Sequence, residues 1–153
     1  MDFRQFADML ERGAAASPAA ASAALKLTLD AVTLEARGYI GHELPEWAPL
    51  APSTITEKTR LGFVGRLSAT DPLLRTGEMR GSVENTVAGL EGVVGSGDQI
   101  ALFQELGTSR IPARPFIGLA ASRSQPVAEI FFGEAAVRLL SPRNARMLGG
   151  RAP

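Results

Sequence analysis

The stretch Leu106-Gly107-Thr108-Ser109-Arg110-Ile111-Pro112-Ala113-Arg114-Pro115-Phe116-Ile117 carries the clearest local geometry in the chain. It follows a short amphipathic segment, Ile100-Ala101-Leu102-Phe103-Gln104-Glu105. Together they read as a helix, a glycine stop and a rigid arm. Gly107 suits the position just past a helix, where positive φ is common and only glycine takes it without strain. Pro112 and Pro115 fix two φ angles and remove two backbone donors. Between them Arg114 presents a planar five-donor fork, and Phe116 offers an apolar anchor. The stretch holds no nucleophile with a matched base. It suits gripping a neighbour in register, not turnover.

Working outward, Ser96-Gly97-Asp98 is a capping sequence for a helix over 99–106. Before it, Val83, Asn85 and Val87 alternate with Ser82, Glu84 and Thr86, and Leu90, Val93 and Val94 carry a return strand. Two strands over 82–87 and 90–95, with Gly89 at the turn, make a hairpin. After the arm, Ile117 to Ala121 has room for one helical turn. Ser124-Gln125-Pro126 opens a last helix over 125–140, with Val127, Ile130, Phe131, Ala135, Leu139 and Leu140 as its apolar face. Ser141-Pro142 stops it, and a loose tail is expected from about 142.

At the other end, Phe3, Phe6, Met9 and Leu10 form one stripe of a short helix over 2–12, which Gly13 ends. Ser17 as N-cap and Pro18 at the first helical position then start a longer helix that reaches Ile40. Its stripe is Leu25, Leu29, Val32 and Ala36, with Leu34 and Tyr39 alongside. Pro45, Pro49 and Pro52 keep 41–52 extended or turned. A short helix begins at Pro52 or Ser53 and runs toward Arg60. Gly62 and Gly65 mark a loop through Thr70, and 72–80 holds a turn with one helical turn from Thr76. The sum is an α+β fold in a single domain over 1–153. It has long N-terminal helices, a small antiparallel sheet with a hairpin near 82–95, a short helix 99–106, a proline-braced arm and a C-terminal helix 125–140.

At 153 residues, folding such a domain buries about two-thirds of its unfolded surface. Sixteen basic residues balance sixteen acidic ones, so no global field draws the chain to nucleic acid or membrane. Fourteen of the basic residues are arginine; the lysines are Lys26 and Lys58. The absence of cysteine excludes disulfides, thiolate metal sites and cysteine nucleophiles. No leader pattern opens the sequence, and no stretch approaches the ~20 apolar residues of a membrane-spanning helix. A soluble protein made in a cytoplasm is expected.

Chemistry is poorly provided for. His42, the single histidine, neighbours Glu43 and Glu46, but no second histidine or thiol completes a metal set. Gly92-Val93-Val94-Gly95-Ser96-Gly97 lacks the lysine of a phosphate loop and ends a strand instead of opening a βαβ unit. No serine sits in a nucleophile elbow. Catalytic, cofactor-binding and metal residues are therefore not assigned, no cofactor is expected, and the chain is not read as an enzyme. Trp47, between Pro45 and Pro49, is either a packing anchor or an interface anchor. Arg114 either pairs within its own domain, with Glu105 a local candidate, or reaches across a subunit boundary. Arg143, Arg146 and Arg151 lie in a segment with no acid after Glu134. They form a solvated tail, or a contact with DNA in a channel or with an acidic partner.

Three segments in order resemble one family. "QELGTSRIPARPFIGLA" is similar to the "-E-x-GT-…-P-x-RPF-" block that follows a β-hairpin in the virion-morphogenesis, or tail-completion, neck proteins of tailed bacteriophages. Trp47 to Lys58 resembles the family's tryptophan, proline-leucine pair and Ser/Thr-rich helix start. Pro72 to Val83 is similar to its "L-x-x-T-G-x-L-R-x-S" segment. The likeness covers roughly Leu25 to Leu119. It departs where many relatives show an aromatic and histidine-bearing helix; here that helix reads Ile100 to Gly107. The resemblance implies a structural virion protein at the head–tail junction, made in the host bacterial cytoplasm, with no membrane partner. It implies a homomeric ring, a hexamer, that completes the tail and meets the head-completion or connector protein and the tail-tube or tail-terminator protein, with DNA passing through non-specifically. A tail terminator capping the tube is the alternative within that class. A monomeric adaptor or regulator is the alternative outside it. The candidate interface residues are Trp47, Arg110, Pro112, Arg114, Pro115 and Phe116. On this reading Arg114→Ala or Phe116→Ala leaves a folded monomer with weakened assembly, which size-exclusion chromatography would register.

Overall fold

The computed structural model describes residues 3–62 and 69–140, the side chains of Phe3, Gln5, Phe6 and Met9 excepted. Helix α1 spans Phe3–Tyr39, 37 residues and about 55 Å at 1.5 Å per residue. It is one helix where the sequence predicts two: neither Gly13 nor Pro18 breaks it. A proline inside a helix costs about 3 kcal/mol because it removes a hydrogen bond and crowds the preceding turn. Two influences outweigh it. Alanine runs on both sides of Pro18 favour helix strongly. Helix α6, Gln125–Leu140, also packs along α1 in the opposite direction. Ser124, just before α6, bonds Glu35, while the carbonyl of Leu139 near its end lies 3.7 Å from where a Cβ on Gly13 would sit. Tertiary packing thus carries the helix through its weak points.

Helix α2 is Pro52–Leu61, with Pro52 in its first turn, where a missing N–H is harmless. Gly62, at φ +78°, ends it. The rest of the expected loop, 63–68, lies outside the described residues, as does the tail from 141 onward. Helix α3 is a single turn, Glu78–Gly81, two residues later than the sequence suggests. Strands β1, Val83–Ala88, and β2, Glu91–Ser96, pair antiparallel from Val83↔Ser96 to Ala88↔Glu91. Gly89 at φ +63° and Leu90 make the two-residue turn. Helices α4, Gln99–Leu106, and α5, Ile117–Arg123, precede α6. Mixed α+β character, mostly helical, is what the chain adopts.

The hairpin lies along the second half of α1. Asn85 donates to the Leu29 carbonyl, to Asp30 and to Thr33, and Arg37 donates to the Val83 carbonyl. Gly92 lets the sheet approach closely: a Cβ there would meet Leu29 Cδ1 at 2.3 Å. Strand β1 alternates as expected, with Val83, Asn85 and Val87 turned inward. Strand β2 does not. Leu90 and Val93 are 61 % and 66 % exposed, and only Val94 packs on the core. On the helices, Leu34, Ile130 and Leu140 are likewise exposed instead of joining the apolar faces assigned to them.

The core gathers at the C-terminal end of α1. Val32, Ala36 and Ile40 meet Trp47, Met79, Val83, Ala101, Phe116 and Ala120. A polar network closes one corner of it. Glu35 accepts from Tyr39 and from Ser124 Oγ, and Arg123 bonds Tyr39 and Glu46 while stacking 5.5 Å from the Tyr39 ring centroid. Burial, then the Glu35 carboxylate, pushes the Tyr39 phenol above its usual range.

Pro18 is exposed and its flanks are already helical, so Pro18→Ala restores a hydrogen bond at no packing cost. It should stabilise the fold by up to about 3 kcal/mol, read as a higher urea midpoint with an unchanged far-ultraviolet spectrum.

Candidate functional site

The arm is built from the end of α4. Asp98 Oδ1 accepts from the Ile100 N–H at 2.8 Å, and Ser96 Oγ steadies Asp98 by accepting its N–H at 3.0 Å. Gly107 ends the helix at φ +75°, ψ 173°, a region essentially restricted to glycine. The chain then turns on Thr108. Its N–H donates to the Ile111 carbonyl at 2.8 Å, and its hydroxyl accepts from the N–H groups of Arg110 and Ile111. The arm folds back so tightly that a Cβ on Gly107 would lie 2.8 Å from the Ala113 nitrogen. The Arg114 N–H then donates to the Gln104 carbonyl at 2.7 Å.

Two side-chain contacts seat the arm. The Glu105 carboxylate accepts from the N–H groups of Phe116, Ile117 and Gly118 at 2.8, 3.0 and 2.7 Å. It thereby satisfies donors that the start of α5 would otherwise leave orphaned. Arg114, only 5 % exposed, donates from Nε and Nη2 to the Ala48 carbonyl at 3.2 and 3.0 Å and from Nη2 to the Pro49 carbonyl at 3.2 Å. In return Trp47 Nε1 donates to the Pro115 carbonyl at 3.2 Å. Burial alone shifts the Arg114 guanidinium below its ordinary pKa.

Of the residues expected to face a neighbour, the structure turns Trp47, Arg114 and Phe116 inward and leaves Arg110, Pro112 and Pro115 exposed. Trp47 is a packing anchor. Arg114 does pair within its own domain, but with carbonyls of the Trp47 loop and not with Glu105. Proline-rich loops explain the choice: they carry carbonyls with no strand or helix partner, and a forked donor can gather two of them. Arg143, Arg146 and Arg151 lie outside the described residues. His42 is exposed on the turn after α1. Sequence reasoning missed the capping role of Glu105. The available signal was a glutamate eleven residues before an apolar N-terminus, a spacing with no local meaning.

The arm walls a groove of about 440 Å³. Its other walls are α2, the turn over 71–75 and the edge of α4 that carries Ile100 and Gln104. Leu50, Leu61, Leu73, Leu74, Ile100 and Ile111 give it an apolar floor. Leu73 sits at φ +63°, a conformation costly for any residue with a Cβ. The buried Gln104 Oε1 beside the groove has no hydrogen-bond partner. Lys58, buried, donates to the Asp71 carbonyl, and burial pushes its ammonium down. Arg75 and Arg110 stand exposed on the rim, and among the described residues neither forms an ion pair.

Helix α4 is amphipathic in the reverse of the usual sense. Ala101 is buried, with Gln104 and Glu105 flanking it on the inner side. The outer face carries Ile100, Leu102, Phe103 and Leu106, which are 57, 55, 39 and 71 % exposed. At 100° per residue these four fall within one arc of about 160°. Among the described residues no helix is long and apolar enough to cross a membrane, and no three potential ligands converge on a metal-sized site. No family model, curated protein or solved structure matches the chain.

The seating of the arm corrects the expected effect of truncating it. Phe116 is fully buried, so Phe116→Ala should destabilise the monomer itself by about 3–5 kcal/mol, measured by urea unfolding. Gly107→Ala should cost about 1–3 kcal/mol from its backbone conformation alone, plus the clash with Ala113. Thermal denaturation followed by circular dichroism checks it.

Proposed function

We propose that this chain is a structural subunit of a tailed-phage neck, assembling as a homomeric ring that completes the tail and joins it to the head connector. The observation that carries the assembly half of this reading is the outward apolar face of α4. Four large side chains presented to water on one eight-residue helix are hard to reconcile with a solitary monomer and are natural in a subunit that buries them on a neighbour. The virion half rests on the ordered resemblance of the Trp47, Thr76-Gly77 and GT…RPF segments to neck proteins. The arm supports it indirectly: a carboxylate clamp and a buried arginine hold the surface around α4 rigid, so little ordering remains to oppose association.

A permanent ring contact of this kind typically buries upward of roughly 2,000 Å². The α4 face supplies part of that area, and the exposed Arg110, Pro112 and Pro115 extend it. The reading asks nothing of the protein chemically. It needs a stable scaffold, a closed set of heterologous contacts and an axial opening.

The experiment is assembly and infection together. The wild-type protein should give a closed ring in native mass spectrometry. Leu102→Asp combined with Leu106→Asp should keep the circular dichroism spectrum and abolish the ring. In the phage that encodes it, the same double variant should leave filled heads and finished tails unjoined. Normal virions from the double variant would overturn the proposal.

A further inference from the structure

We infer that the tip of the β1–β2 hairpin of one copy docks in the groove beside the arm of the next copy, as a head-to-tail contact. The two surfaces are complementary in charge and in shape. Residues 81–109 contain Glu84, Glu91, Asp98 and Glu105 and no lysine or arginine. The tip itself presents Leu90 and Val93, both well exposed, beside the exposed Glu91. The groove has an apolar floor and the exposed cations Arg75 and Arg110 at its rim. Its lining carries Lys58, Arg75, Arg110 and Arg114 against Glu57 and Asp71, an excess of positive charge around an apolar floor. At about 440 Å³ the groove is large enough to take side chains of the size of leucine and valine.

A hairpin cannot reach the groove of its own chain. Its tip lies against Leu25 and Leu29, where Gly92 makes close approach. The groove lies beyond the other end of α1, where Leu74 packs on Gly41. Leu25 and Tyr39 are about 21 Å apart along the helix axis. A surface at one end of the molecule that complements a surface at the other makes a heterologous contact, which closes into a ring or runs on as a filament. The inference deepens the ring reading above and supplies it with a defined contact. Ile100 belongs to both the groove floor and the outer face of α4, so the two surfaces are continuous.

The chain has no cysteine, so engineered thiols report without background. Leu90→Cys places one on the tip and Leu61→Cys, at an exposed position, places one on the groove. When the two single variants are mixed and oxidised, the Leu90→Cys to Leu61→Cys product should exceed either homodimer about tenfold. Charge reversal gives the second arm. Arg110→Glu and Glu91→Arg should each weaken self-association by about tenfold or more, read by sedimentation, and the double variant should recover much of it. Both positions are exposed, so an unchanged circular dichroism spectrum shows that the fold survives. Equal yields of all three cross-links, or no recovery in the double variant, would overturn the inference. A monomer at every concentration would do the same. A closed ring without the mixed cross-link would overturn this contact and leave the ring standing. A mixed cross-link found only in open chains would do the reverse.

Discussion

One carboxylate organises this molecule. Glu105 holds three consecutive N–H groups at the start of α5, two of them, those of Phe116 and Ile117, at part-buried positions where a lost acceptor is costly. The bond fixes where the arm ends and where Phe116 enters the core. Once Phe116 is seated, Arg114 comes within reach of the Ala48 and Pro49 carbonyls, and Trp47 closes over the Pro115 carbonyl. A segment with two prolines, and so with two missing donors, is thereby held by side chains where no sheet or helix ladder could hold it. The clasp also joins parts of the chain more than sixty residues apart.

Much of this was legible in the sequence. The Ser96-Gly97-Asp98 cap, the Gly107 stop, the Pro52 start and the inward alternation of β1 follow from short-range rules, and the structure follows them to within a residue or two. What escaped was set by distance. The unbroken α1 depends on α6, more than a hundred residues later, and no local rule could weigh that against Gly13 and Pro18. The partners of Arg114 are backbone carbonyls, which every residue carries and which no side-chain pattern announces. The exposure of Leu90, Val93, Ile130 and Leu140 escaped for a related reason. Periodicity locates an apolar stripe, but the surrounding fold decides which stripes find something to cover them.

The same distinction bears on function. Residues that look adhesive in the sequence, Trp47 and Phe116 above all, serve the fold. The surface proposed to be adhesive lies on α4, whose short amphipathic pattern reads as an ordinary core-facing helix until its orientation is known. Its inner side carries the small, buried Ala101 between Gln104 and Glu105. Its outer side carries the bulk. Rigidity beneath and hydrophobicity above are the properties that the proposed ring contact asks of this surface.

The long reach of the core contacts also shapes how the chain must be made. Val32, Ala36 and Ile40 are covered by residues as distant as Phe116 and Ala120. A ribosome adding about 5–20 residues per second needs roughly 4–16 seconds to travel from Ile40 to Ala120. Until Phe116 and Ala120 have been added, the apolar stripe of α1 has only part of its cover, the hairpin over 83–96 being made first. The last core contacts of α1 therefore close only after most of the chain has been made.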